Sequence, residues 1–255
     1  MNFPSFRLDG QVALVTGGNR GLGALGARAF AAAGADVIVA ARGLEQGEQV
    51  AAEIRATGRR ALALEVDVRR RESVDAMAAR ALDAFGRVDI LFNNAGVIAT
   101  ATVTDLEEDA WDDVMDVSAK GTWLCVRALV PQMAARGSGR IINMASILAS
   151  HGIPNRSPYC AAKAAVANLT RAMAVELGPK GINVNAVAPT VFVTDLNRHL
   201  IEKQPQVYGT VLARMPLGRL GQPEDLAGAL VFLAAPASAF VTGQILHVDG
   251  GFTAT

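Results

Sequence analysis

Short apolar runs alternate with amphipathic segments along this chain, and that alternation narrows the fold more than any other feature. Gln11–Thr16, Val37–Ala41, Ala61–Val66, Val88–Phe92, Arg140–Ala145, Ile182–Val187 and Gln244–Val248 read as strands. Val37–Ala41 (VIVAA) is continuous rather than alternating, as expected of a strand buried on both faces. Between the strands, Gly21–Ala33, Leu44–Thr57, Glu72–Phe85, Trp111–Arg136, Ser157–Gly178 and Pro223–Ala234 read as helices, while Thr194–Leu212 reads as polar and irregular. Such alternation predicts an α/β fold, a doubly wound parallel sheet with helices on both faces. No linker, repeat or low-complexity tract divides the 255 residues, so one domain over residues 1–255 is expected.

The charge balance excludes several classes of function. Lys and Arg together number 24, as do Asp and Glu, so neither a nucleic-acid surface nor a polybasic membrane patch is expected. Met1–Gly10 has no apolar signal core, and no later run is long enough to span a bilayer. Cys125 and Cys160 fit no metal or redox spacing and read as packing residues. His151, His199 and His247 form no metal-binding pair, so no metal is expected. These points together favour a reduced cytoplasm.

The first strand runs into Thr16-Gly17-Gly18-Asn19-Arg20-Gly21-Leu22-Gly23 and then a helix. Glycines admit a ligand close to the backbone, and the helix start offers unpaired N–H groups and a positive dipole end. That context points to a dinucleotide pyrophosphate, although the spacing is G-x3-G-x-G. Asp36 begins the second strand and so faces away from the ligand edge, whereas Arg42 follows its end. An arginine there would accept a 2′-phosphate. Arg20 would converge on the same group, so NADP(H) is favoured over NAD(H).

Tyr159 and Lys163 are four residues apart and share one helix face. Ser157 would cap that helix and Pro158 suits its first turn. A phenol titrates near ~10 in water, so action as a base near neutrality needs local positive charge, which an ammonium and a helix N-terminus supply. With two tyrosines and four lysines in the chain, chance is a poor source of this spacing. Ser146 follows a strand at the ligand edge, where its hydroxyl would hold a substrate oxygen beside Tyr159.

With these motifs in place, the chain resembles a classical short-chain dehydrogenase/reductase over nearly its whole length. The matching motifs are Thr16–Gly23, Asp67-Val68, Asn93–Gly96, Ser146, Tyr159-x-x-x-Lys163 and His247–Gly251. The resemblance implies a single-domain Rossmann fold with a seven-stranded parallel sheet, commonly assembled as a homotetramer through helices near Trp111–Arg136 and Ser157–Gly178. It also implies hydride transfer between a nicotinamide and a carbonyl or secondary alcohol. Tyr159 would be the general acid/base, Ser146 would orient the substrate oxygen, and Lys163 would lower the Tyr159 pKa and bind the nicotinamide ribose. Gly17, Asn19, Gly21, Leu22 and Gly23 would form the cofactor loop, with Arg20 and Arg42 selecting NADP. Asp67 and Val68 would contact adenine, and Asn94, Ala95 and Gly96 would line the adenosine ribose. Pro189, Phe192 and Thr194 would flank the nicotinamide. Two positions depart from the family pattern. Ser118 stands where an Asn usually holds a relay water, and Thr190 replaces the Gly of a Pro-Gly pair.

Ile147–Arg156 and Thr190–Leu212 are expected to line the substrate. His151, Asn155 and Arg156 in the first, and Asp195, Asn197, Arg198 and His199 in the second, suit a hydroxylated small molecule. Arg156 would pair with a substrate carboxylate. The stretch FVTDLN and the tail from Leu217 resemble sugar-acid and polyol dehydrogenases such as gluconate 5-dehydrogenase. The alternatives are a 3-oxoacyl-thioester (acyl carrier protein) reductase, with Arg127, Arg136 and Arg140 beside the site, and a weakly catalytic NADP-sensing protein.

Overall fold

The structure, a computed structural model, describes residues 3–194, 198–203 and 205–255. Seven strands make one sheet: β1 (Val12–Thr16), β2 (Asp36–Ala41), β3 (Ala61–Glu65), β4 (Ile90–Asn93), β5 (Gly139–Met144), β6 (Ile182–Pro189) and β7 (Ile245–Val248). Their order is β3-β2-β1-β4-β5-β6-β7, and every neighbouring pair is parallel. The helices are α1 (Gly21–Ala32), α2 (Leu44–Ala56), α3 (Arg71–Phe85), α4 (Glu108–Met115), α5 (Gly121–Ala135), α6 (Ser157–Leu177), α7 (Arg198–Lys203), α8 (Pro205–Leu212) and α9 (Glu224–Ala234). The chain winds outward from β1 to β3 and then returns to β4 on the other side of β1. That reversal opens a crevice above the carboxyl ends of β1 and β4, where open α/β sheets bind ligands.

Alternation along β1 divides the core. Val12 and Leu14 pack with Val74 and Met77 of α3, Leu129 of α5 and Met173 of α6. Ala13 and Val15 point the other way, to Phe30 of α1, Ile54 of α2 and Leu230 of α9. Both faces are therefore covered, which explains the unbroken apolar strands. Phe30 meets Phe92 edge-on at 6.1 Å between ring centroids, a favoured aromatic geometry. Cys125 packs in the core, and burial pushes its thiol up to about 12. Cys160 is half-buried.

Three expectations are corrected. The long helix expected over Trp111–Arg136 starts earlier and is interrupted by a π-turn, Asp116–Lys120, between α4 and α5. Thr194–Leu212, expected to be irregular, contains α7 and α8. There Val211 and Leu212 pack against a cluster of Ile147, Met215 and Phe252, long-range contacts that no local pattern displays. Ser157 is not the cap of α6. The helix begins at Ser157 itself, Arg156 occupies the cap position without a side-chain bond, and Cys160 N donates to Arg156 O. The positive φ of Asn155 (61°) turns the chain into the helix one residue early.

Asp89 ties the amino edge of the sheet together. Its buried carboxylate accepts from Val12 N at 2.9 Å and from Arg87 at 2.6 Å, with Arg136 at 3.2 Å. Replacing it removes three charge-assisted contacts and strands a buried N–H. Asp89→Ala is expected to cost about 2–3 kcal/mol, read by urea denaturation.

Candidate active site

A cavity of about 750 Å³ lies above the carboxyl ends of the strands. Its floor is the loop after β1, where Gly17, Asn19, Arg20, Gly21, Leu22 and Gly23 all line it. The loop is glycine-built of necessity. Gly17 has φ +61°, and a Cβ on Gly23 would fall 2.1 Å from Gly17 O. Helix α1 has no side-chain cap, so its first-turn N–H groups remain for a ligand. The loop is pinned from β4. Asn94 Nδ2 donates to Thr16 O and Gly17 O, both at 3.1 Å, and Thr16 Oγ1 accepts from Asn94 N and Ala95 N at 3.1 and 3.2 Å. Asn94, Ala95 and Gly96 line the cavity, but the Asn94 side chain is committed to the loop.

Arg42, Asp67 and Val68 form one end of the cavity. Asp36 lies at the opposite edge of the sheet, paired with Arg59 at 2.9 Å. Among the described residues no carboxylate lies within ion-pair distance of Arg20 or Arg42. Asp67 is clasped by Arg69 at 2.7 Å, which holds its carboxyl below the usual range; Arg42 adds a smaller pull in the same direction. Gly43, Gln46 and Val66 also line this end and were missed from the sequence, since they lie outside the recognisable motifs.

At the other end, Ser146, Tyr159, Pro189, Phe192 and Thr194 line the cavity, as does Thr190. Burial pushes the Tyr159 phenol up; the Ser146 hydroxyl pulls it down, the Cys160 thiol adds to the rise, and the Arg156 guanidinium pulls it down. Lys163 and Ser118 stand behind this wall. Lys163 is 3% exposed, donates to Met144 O at 2.7 Å, and lies 5.4 Å from the centroid of the Tyr159 ring. Burial lowers its pKa to about 8. Ser118 sits in the π-turn, its carbonyl bonded by Thr122 Oγ1 at 2.7 Å. Its buried Oγ has no partner among the described residues, nor has Thr190 Oγ1. A Cβ on Gly96 would lie 3.6 Å from Ser118 Oγ and 3.7 Å from Lys163 Nζ, so both atoms flank one point.

The substrate wall differs from expectation. His151 and Arg156 line it, but Asn155 is exposed outside it. Arg198 and His199 are exposed on α7 and do not reach the cavity. Asp195 and Asn197 lie outside the described residues. Tyr208 lines it from within the expected stretch Thr190–Leu212, whereas Arg214 and Phe252 were missed; no sequence motif links those two, and the fold alone brings them here.

A protein-family model described as enoyl-(acyl carrier protein) reductase matches residues 17–253. The chain belongs to the short-chain dehydrogenase/reductase family. This short-chain dehydrogenase/reductase is 44% identical over 245 residues to cis-4-hydroxycyclohexanecarboxylate dehydrogenase of Sinomonas cyclohexanicum, covering 96% of this chain and 97% of that one. It is 41% identical over 246 residues to a 3-oxoacyl-acyl-carrier-protein reductase of Synechocystis sp., with 96% and 97% covered. A gluconate 5-dehydrogenase from Burkholderia cenocepacia J2315, solved in complex with NADP and tartrate, matches with TM-score 0.94 and 39% identity over 98% of each chain. The chain is thus an oxidoreductase with the Rossmann-like fold of its family. Among the described residues, no helix is long and apolar enough to cross a membrane.

The buried lysine has a thermodynamic signature. Its folded pKa of about 8 lies below the value of an exposed lysine, so between the two the unfolded chain binds more protons. Stability should therefore rise with pH from about 8 to about 10.4, by up to about 3 kcal/mol from this group. Lys163→Met should lack that rise when unfolding free energies of both proteins are compared across this range.

Proposed function

We propose that this protein transfers a hydride between NADP(H) and a secondary alcohol or carbonyl of a polyol, sugar acid or related hydroxy compound. The carrying observation is that Tyr159 and Ser146 face one cavity at the ligand edge, with Lys163 buried behind them one turn along α6. When bound, the nicotinamide supplies or accepts the hydride. Tyr159 takes the alcohol proton in oxidation and returns it to the carbonyl oxygen in reduction, while Ser146 holds that oxygen. Burial alone would keep Tyr159 protonated; Ser146, Arg156 and the N-terminal position in α6 work against it. Lys163 would bind the ribose. Ser118, whose buried hydroxyl has no partner among the described residues and flanks the same point as Lys163, would hold a water through which the proton reaches solvent.

The uncapped start of α1 and the glycines at Gly17 and Gly23 suit a pyrophosphate. Arg20 and Arg42 would hold the 2′-phosphate, because no acidic residue ends β2. Asp67 and Val68 would meet the adenine, Ala95 and Gly96 the ribose, and Pro189, Phe192 and Thr194 the nicotinamide. Arg156 donates to Thr100 Oγ1 and bears on Tyr159, so we assign it to the proton transfer rather than to a distant carboxylate. Assembly into a homotetramer would cover the exposed Trp123 of α5 and Val175 of α6.

The thioester-reductase reading draws on the Synechocystis relative. It lacks its basic surface at the expected residues. Arg127 is paired with Asp75 and Arg136 with Asp89, while Arg140 is the second residue of β5, at the edge opposite the cavity.

Tyr159→Phe should lower kcat by about 10²–10⁴-fold while NADPH affinity stays within about twofold; retained turnover would refute the assignment. Arg42→Ala should weaken NADPH binding by about ten- to hundredfold and leave NADH binding unchanged, as read by nucleotide fluorescence titration.

A further inference from the structure

The cavity wall farthest from the phosphate loop is assembled from three separate segments: the loop after β5, the turn after α8, and the tail after β7. Asp249 shapes the tail. Its carboxylate accepts from Gly251 N at 3.0 Å, Thr253 N at 2.9 Å and Thr253 Oγ1 at 2.6 Å. The tail then delivers Phe252, 4% exposed, into a cluster with Ile147 and Met215. The Phe252 ring carries two polar neighbours. The Arg214 guanidinium lies 4.1 Å from its centroid, and the His151 ring meets it at 5.9 Å and 72°. All three residues line the cavity.

Arg214 has no carboxylate within ion-pair distance among the described residues. A guanidinium stacked on an aromatic face is held in place without being neutralised, and its N–H edge stays free for a planar anion. His151 Nδ1 lies 3.3 Å from Ile147 O. Ser150 Oγ lies 3.1 Å from the same nitrogen, so both local partners sit at Nδ1 and Nε2 is left to face a ligand. The wall thus offers a fork of donors for a carboxylate and, beside it, a ring nitrogen for a hydroxyl.

We propose that Arg214, seated on Phe252, reads a substrate carboxylate while His151 Nε2 hydrogen-bonds a substrate hydroxyl, so that the substrate is a hydroxy acid rather than a neutral polyol. This rests on the hydride-transfer reading for what happens at Tyr159, but the recognition itself does not need turnover. Its test is a binding measurement.

The protein saturated with NADP⁺ is titrated calorimetrically with D-gluconate, L-tartrate and the neutral D-glucitol. This is done for wild type, Arg214→Gln and Arg214→Lys, each also on a Tyr159→Phe background that blocks chemistry. Wild type should bind at least one of the two acids about tenfold or more tighter than glucitol. Arg214→Gln should erase that margin, leaving glucitol and NADPH binding unchanged, and Arg214→Lys should restore part of it. No preference for either acid in wild type, an unchanged preference in Arg214→Gln, or an equal loss for acid and glucitol would each overturn the proposal. The last outcome would mean that Arg214 only supports the wall. The two readings fail separately. Acid preference that depends on Arg214, without Tyr159-dependent turnover of any carbonyl, sinks the catalytic reading alone. Tyr159-dependent turnover with an indifferent Arg214 sinks this one alone.

Discussion

The contact on which the site depends is the one between the ends of β1 and β4. These strands are neighbours in the sheet, yet the chain leaves them toward opposite sides, and the backbone must open between them. Thr16 and Asn94 hold that opening at a fixed width through four hydrogen bonds of 3.1–3.2 Å. Without them the glycine loop would have too many conformations to present its N–H groups in one arrangement. The sheet below is rigid because apolar layers cover both faces, so the loop's geometry is referred to the whole core.

The reacting end works under an electrostatic tension. Tyr159 and Lys163 are both desolvated, and desolvation favours the neutral form of each. Charge on one is therefore most easily kept when charge of opposite sign lies near. Ser146 and Arg156 supply part of that compensation at the phenol, and Met144 O supplies part at the ammonium. Nearby, two buried hydroxyls, Ser118 Oγ and Thr190 Oγ1, have no partner among the described residues. Groups in that state normally find a water or a ligand.

Much of this was legible in the sequence where local chemistry decided the outcome. The glycines after Thr16, the Tyr159–Lys163 spacing and the run VIVAA each state their structure within a few residues. The wrong position of Asp36 for a ribose contact was readable too, because strand direction alone placed it. What escaped depends on distant parts of the chain. Nothing near Ser118 announces a π-turn. Helix α8 packs through Val211 and Leu212 against Ile147 and Phe252, forty or more residues away on either side. Arg214 and His151 share a wall only because the tail bends back. Ser157 looked like a cap, but Asn155 had already made the turn.

The π-turn between α4 and α5 carries an implication for how this fold can change length. A π-turn holds one residue more than the α-helical turn it replaces. A chain one residue shorter between Asp116 and Lys120 could close as plain helix with both flanks keeping their facing, Val114 and Leu124 still toward the core. Only the intervening bulge, with Ser118 at its centre, would be lost from its place behind Gly96. Deletion here would thus spare the scaffold and remove the hydroxyl proposed to hold a water, the reverse of what trimming a surface loop does.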